Sequence, residues 1–335
     1  MKPPEPRGEL SSALIDRLRG GAEEAPLPGP ADGADPLEDD DLQLALYIAY
    51  ELNYRGFEGV DPELEWDLAV LGLRSELEHA FTAALREAVP RRHGVDPDGV
   101  GRLLFELAES DPGPSLSRHL GARGTIEQVR EFVVHRSAYQ LKEADPHSWA
   151  IPRLTGGAKA ALVEVQFDEY GSGDGERIHA RLFAQAMDAL GLDSAYGAYL
   201  DLLPARTLAT VNLMSMLGLH RRWRGAIVGH LAMFEITSPE PNRRYGNALR
   251  RLGFEAATPF FDEHVEADSV HENIAAHDMA GGLARQEPEL AGDIVWGAEC
   301  LLVLEARWAG MLLDAWERGE TALRRPLEEQ AAVPA

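Results

Sequence analysis

The sequence predicts an all-α protein, a bundle of long helices with short connections, and three observations predict it. Apolar residues recur at three- and four-residue spacing from Asp39 onward, no alternating apolar/polar run of strand length appears, and no Asn-Gly hairpin turn is flanked by such runs. Residues 1–36 stand apart. They are rich in Pro, Gly, Ala and acid (Pro3-Pro-Glu-Pro6, Ala25-Pro-Leu-Pro-Gly-Pro30), a composition that predicts a flexible, partly disordered arm with short parts lying across the folded body.

The elements follow in order. The segment Asp41-Leu-Gln-Leu-Ala-Leu-Tyr-Ile-Ala-Tyr-Glu-Leu52 starts with capping acids and continues in strong helix formers. Leu71 to Val89 repeats apolar residues at helical spacing, and Pro90 closes it. Further helices are predicted near 96–109, 114–121 and 125–144, with Thr125-Ile-Glu-Gln128 as a capping box and Asp145-Pro146 as a stop. Others follow near 155–170, 175–190, 205–219, 221–236 and 241–253, then 258–285 and 289–318. Pro239-Glu-Pro241 is too short for an interdomain linker, so 37–320 reads as one helical domain with a tail at 321–335.

Composition narrows the function. With 335 residues, 45% of them hydrophobic, the chain can bury a substantial core. A net charge of −24 repels phosphate backbones and anionic membranes, so neither nucleic acid nor membrane is an expected partner. The single cysteine, Cys300, excludes an internal disulfide, Fe–S clusters and thiolate zinc sites, and its apolar surroundings mark it as a small buried hydrophobe. No signal peptide opens the chain and no run approaches the ~20 apolar residues of a membrane span, so the protein reads as soluble and cytoplasmic.

The sharpest local feature is His264-Val-Glu-Ala-Asp268-Ser-Val-His271. At 100° per residue, offsets of four and seven residues put two imidazoles and one carboxylate in one stripe over about two turns. If that stripe faces the core, a divalent metal compensates the buried charge; if it faces water, it is a solvated acidic face. A second cluster lies at Phe167-Asp-Glu169-Tyr170, which ends a helix, and Glu176-Arg-Ile-His179, which opens the next. Between them Gly171-Ser-Gly-Asp-Gly175 lacks the Lys and Ser/Thr of a phosphate loop and reads as a hinge that lets Glu169 and His179 converge. Glu143 closes a helix just before Asp145-Pro146. Three carboxylates and three histidines form an oxygen- and nitrogen-rich set suited to non-haem iron or manganese, with positions open for dioxygen.

These segments, Leu-Lys-Glu143-Ala-Asp-Pro-His-Ser, Phe-Asp-Glu169-Tyr-Gly to His179, and Glu-His264-Val-Glu-Ala-Asp268-Ser-Val-His271-Glu, resemble those of the haem-oxygenase-like diiron oxidases, also called the iron-containing redox enzyme family. The likeness runs from about residue 40 to 318. It implies a haem-oxygenase-like helical bundle without haem, and Glu143, Glu169, His179, His264, Asp268 and His271 as metal ligands. It also implies two irons, one of them labile, that react with O2 through a peroxo-diiron intermediate.

A ferritin-like alternative would use Glu76-x-x-His79 and Glu176-x-x-His179 but leaves the His264 stripe unemployed. Glu235 and His147 are candidates to hydrogen-bond a metal ligand or to line the substrate pocket, while His220, His230 and His277 lie outside the pattern. Met214, Met216, Trp223, Met233, Phe234, Phe260 and Phe261 fall at core spacing, some of them as walls of a substrate pocket.

The resemblance implies O2-dependent oxidation of a small amine- or carboxylate-bearing substrate, with N-oxygenation of an amino acid or amine in specialised biosynthesis ahead of oxidative C–C cleavage or decarboxylation of an amino or fatty acid. A non-enzymatic metal-binding or interaction protein is the alternative from another class. An external electron donor and a homodimer along Leu42, Leu44 and Tyr47 complete the expected partners.

Overall fold

Capping side chains set where the helices begin. The computed structural model describes residues 1–21, 27–31 and 33–327, with backbone only at 268 and 269. Helix α1 (Glu9–Leu18) is followed by α2 (Asp40–Glu51), whose cap Asp39 accepts from the amides of Asp41 and Leu42. Asp67 caps α3 (Leu68–Ala88) in the same way. Helices α4 (Val100–Ser110) and α5 (Leu116–Arg123) lead to α6 (Ile126–Gln140), which opens on the predicted Thr125/Gln128 capping box. Next come α7 (Asp145–Ser148), α8 (Gly156–Glu169), α9 (His179–Ala189) and α10 (Ala205–Leu219). Helices α11 (Arg224–Thr237), α12 (Pro239–Leu252) and α13 (Pro259–Asn273) follow. A π-helical stretch, Ile274–Ala280, joins α13 to α14 (Gly281–Gln286), and α15 (Ala291–Glu317) closes the bundle. Among the described residues no strand occurs, and no helix is long and apolar enough to cross a membrane.

The all-α expectation holds, and the structure adds three local features. Within 1–36, expected to be a flexible arm, α1 buries Leu10, Leu14, Ile15 and Leu18 against α2. Its short apolar stripe is diluted in the sequence by the flanking Pro, Gly and acid; 22–26 and 32 lie outside the described residues. The first part of the predicted tail also folds back: Glu131 on α6 accepts from the Ala322 amide at 2.6 Å and the Thr321 hydroxyl at 2.8 Å. Finally, Leu42, Leu44 and Tyr47 are buried inside the chain, because α1 and α10 pack on α2, so this face is closed to a second copy.

At the centre α11 lies along α15 with its backbone in close approach. A Cβ on Gly229 would overlap the carbonyl of Ile294, and one on Gly297 would overlap that of Ala226. Around this pair stand α4, α10, α12 and α13. Helices α6, α8 and α9 deliver their ends to one point beside α13, and that point is the site.

Candidate metal centre

Each functional side chain is placed by a helix end or a helix face. Helix α6 ends at Gln140, three residues before Glu143, so Glu143 stands in a turn and does not close the helix as its spacing predicted. The turn finishes at Ala144 in the left-handed region (φ 71), held by Gln166 Nε2 donating to the Ala144 carbonyl at 2.9 Å. Pro146 does not stop a helix but starts α7, where its missing N–H costs nothing.

Glu169 is the last residue of α8 and His179 the first of α9. Gly171, at φ +73, turns the chain so sharply that a Cβ there would press on the backbone of Arg177 and Ile178. Only glycine combines that conformation with that approach, and the turn brings the two side chains together. Their contact is 3.1 Å between His179 Nδ1 and Glu169 Oε2.

His264 reaches the same point from α13. Its Nδ1 lies 2.8 Å from the Phe260 carbonyl oxygen, which can only accept, so Nδ1 carries the proton. In the neutral ring Nε2 then carries the lone pair, and it lies 3.4 Å from Glu143 Oε1. Glu143, Glu169, His179 and His264 each offer one ligand atom, all within 4.8 Å of one another, and all four residues are buried.

The charges are uneven. Burial raises the Glu143 carboxyl above its usual range, and His264 offsets this only in part. Burial acts on Glu169 in the same sense, but His179, His264 and His271 outweigh it and hold that carboxyl at about 2. Glu169 in turn carries the His179 imidazole upward against the opposite pull of burial.

Comparison with known proteins bears on what such a cluster holds. The family model described as iron-containing redox enzyme matches residues 130–306, just over half the chain and the whole of the span from Glu143 to His271. This chain belongs to the iron-containing redox enzyme family. Among curated proteins none matches it. A solved structure, a CADD-like protein of unknown function from Nostoc punctiforme, is 17% identical with a TM-score of 0.51 over 64% of this chain and 95% of that one, which shows a shared fold.

The cluster fits the metal this family of redox enzymes is named for. Glu143 Oε2, Glu169 Oε2 and both ring nitrogens of His179 are buried without hydrogen-bond partners, since the 3.1 Å contact is out of line for one. Buried polar atoms left this way cost free energy unless a cation takes them up. Two carboxylates and two imidazoles, with no sulfur, suit iron.

The other predicted residues of this iron-family member are placed as follows. His271 is buried about two turns further along α13, its Nε2 2.9 Å from Asp168 Oδ2 and its Nδ1 3.6 Å from Glu235 Oε2. Glu235 is buried on α11 and lines the cavity described below. The side chain of Asp268 lies outside the described residues. His147 does not turn to Glu143; its Nε2 meets His230 Nδ1 at 3.1 Å, and burial lowers His147 to about 4. Glu76, His79 and Glu176 are exposed, which removes the ferritin-like alternative. Asp168 was not singled out in the sequence, where it reads as one more acid at a helix end; its only signal is adjacency to Glu169.

Glu143 and His264 also line one end of a cavity of about 710 Å³. Its inner wall is aromatic, with Tyr139, Phe183, Phe234, Phe260 and Phe261, and its outer end reaches Pro114 and Asn242. Phe234, Phe260 and Phe261 are therefore pocket walls, whereas Met214, Met216, Trp223 and Met233 pack in the core.

Proposed function

We propose that this chain is a non-haem diiron oxidase or oxygenase that uses O2 to oxidise a small amine- or carboxylate-bearing molecule, with N-oxygenation of an amino acid or amine as the reaction. The observation that carries the reading is the buried Glu143/Glu169/His179/His264 cluster, with orphaned ligand atoms, at the end of a cavity. Asp268 and His271, on the same helix face as His264, complete the proposed two-metal set. Two irons, when bound, supply electrons and Lewis acidity for dioxygen activation.

The chain's own residues do the rest. The Phe260 carbonyl fixes the His264 tautomer, so its Nε2 faces inward without reorientation. Glu143, raised by burial, is the more readily protonated of the two carboxylates, while the neighbouring histidines hold Glu169 low. Asp168 and Glu235 flank His271 and keep its ring in place. The aromatic wall excludes water from the reacting end.

The test is anaerobic loading with ferrous iron, metal analysis, then admission of O2 with a mass-spectrometric screen of amino acids, amines and fatty acids. The expected result is two irons per chain and an O2-dependent product carrying added oxygen on nitrogen. His264→Ala should lose at least one iron. Two irons retained in that variant would remove His264 from the site, and iron without O2 consumption across the screen would favour a metal-binding protein that is not an enzyme.

A further inference from the structure

The cavity contains an ion pair that the metal chemistry does not use. Arg136 on α6 and Glu305 on α15 meet as a two-bond fork, Nη1 to Oε1 at 2.8 Å and Nη2 to Oε2 at 2.6 Å. The guanidinium carbon lies over the Trp308 ring, 3.9 Å from its centre. Both charged side chains line the cavity and are each about one-fifth exposed (18% and 21%). The fork takes two of the five N–H groups of Arg136, leaving three. Two further polar atoms, in side chains lining the same cavity, have no hydrogen-bond partner although they are buried: Gln140 Oε1 and Trp308 Nε1.

We propose that Arg136 and Glu305 anchor the α-carboxylate and α-ammonium of an amino-acid substrate, whose side chain runs along the cavity to Glu143 and His264. This rests on the reading of the site as a substrate-oxidising metal centre. The two charges select the ligand class between them. A fatty acid would be met by the guanidinium but would set its carboxylate against Glu305. A simple amine would be met by Glu305 but would leave Arg136 facing an apolar ligand. A zwitterion satisfies both, and until it binds the two residues neutralise each other, so the cavity holds no bare charge.

Position adds the direction. Arg136, Tyr139, Gln140 and Glu143 follow one another at spacings of three, one and three along α6 and the turn after it. Arg136 lies about one turn before the last helical residue, Gln140, and Glu143 lies three residues beyond it, so the anchor and the metal end are set apart in the cavity. The oxidised group therefore lies on the side chain of the amino acid, away from the anchored carbon.

The test is anaerobic binding to the full chain, with and without ferrous iron, of L-lysine, L-arginine and L-norleucine. Each is paired with its decarboxylated counterpart (cadaverine, agmatine, pentylamine) and its counterpart lacking the α-amine (6-aminohexanoate, 5-guanidinopentanoate, hexanoate). At least one amino acid should bind roughly ten- to hundredfold more tightly than both of its counterparts. Glu305→Gln should remove the preference over the compound lacking the amine, and Arg136→Gln the preference over the decarboxylated one, with iron content unchanged. Arg136→Lys, which keeps the charge but not the fork, should fall between. If a variant at 136 fails to fold, Glu305→Gln carries the same reading alone, because it preserves shape.

No binding by any of the three amino acids, equal binding of the counterparts, or loss of iron together with ligand in Glu305→Gln would each overturn the proposal. Failure of the chain to load iron would instead count against the function proposed above, and binding to the metal-free chain would still decide the anchor.

Discussion

Next to Glu143 in the chain stands Lys142, and its surroundings explain how a turn outside any helix can hold a candidate ligand steady. Lys142 Nζ is 3.1 Å from Glu51 Oε2, with both side chains fully buried, and lies 3.9 Å from the centre of the Tyr54 ring. Glu51 also accepts from the Tyr196 hydroxyl at 2.7 Å. A buried pair of this kind is costly to break from one side, because the surviving charge is stranded. Lys142→Met is expected to destabilise by about 3 kcal/mol, at the lower end of the range for broken buried pairs since Tyr196 still serves Glu51. Iron should also be retained less well, as Glu143 loses its support. Denaturant unfolding with parallel metal analysis measures both, and wild-type values for both would show that the pair does not position Glu143. At this scale the sequence was informative where residue types are rare in a core. His264 and Glu169 stood out because an imidazole or an acid at a core-facing position needs a reason. Asp168 and the Arg136–Glu305 fork did not stand out, because acids and arginines on amphipathic helices are ordinary until their partners from distant helices are known.

Among elements, the crossing of α11 and α15 decides the shape of the cavity, since one helix carries Glu235 and the other Glu305 and Trp308. Gly229 and Gly297 let the two backbones touch, each opposite a carbonyl of the other helix. Gly297→Ala must push the helices apart, and overpacking of this kind costs roughly 1–3 kcal/mol or more. The expected outcome is a clear fall in thermal midpoint with the cavity altered, read by unfolding and by the amino-acid binding assay; a midpoint equal to wild type would contradict the close crossing. Helix periodicity made most elements legible, from α2 through α15, because each buries one stripe along its length. Two were not. Helix α1 is short and sits in a composition that mimics a linker, so its four apolar residues count only once α2 is there to receive them. The π-helical stretch after α13 follows the same apolar pattern as the α-helix around it, and its extra residue per turn is a property of packing against α8 and α11.

For the whole molecule, the first twenty-one residues join distant parts of the bundle. Leu10, Leu14, Ile15 and Leu18 are buried on it, Arg7 donates to the Leu200 carbonyl at 2.9 Å, and Asp41 on α2 receives the amides of Leu10 and Ser11. Arg17 grips Asp67, the cap of α3, at 3.0 Å through Nε and 2.7 Å through Nη2. Deleting residues 1–21 exposes the apolar floor under α1, and burial of four such side chains at about 1.5–3 kcal/mol each sets an upper bound on the loss. Ordering entropy removes much of that, so a drop of several degrees in thermal midpoint is expected, while the proposed metal ligands between the end of α6 and α13 stay in place and iron binding should survive. Acid should narrow the difference. Asp67 has a depressed pKa, first because Arg17 hydrogen-bonds its carboxylate, so its contribution is present above the ordinary carboxylate value near 4 and fades as pH falls through the lower folded value. Asp67→Asn removes the same contribution at neutral pH, and its stability deficit should shrink below about pH 4. Denaturant unfolding of the full chain, the truncated chain and Asp67→Asn, each at neutral and acidic pH, tests the chain of inference. A truncated protein as stable as the full one would show that α1 rests on the bundle without holding it together.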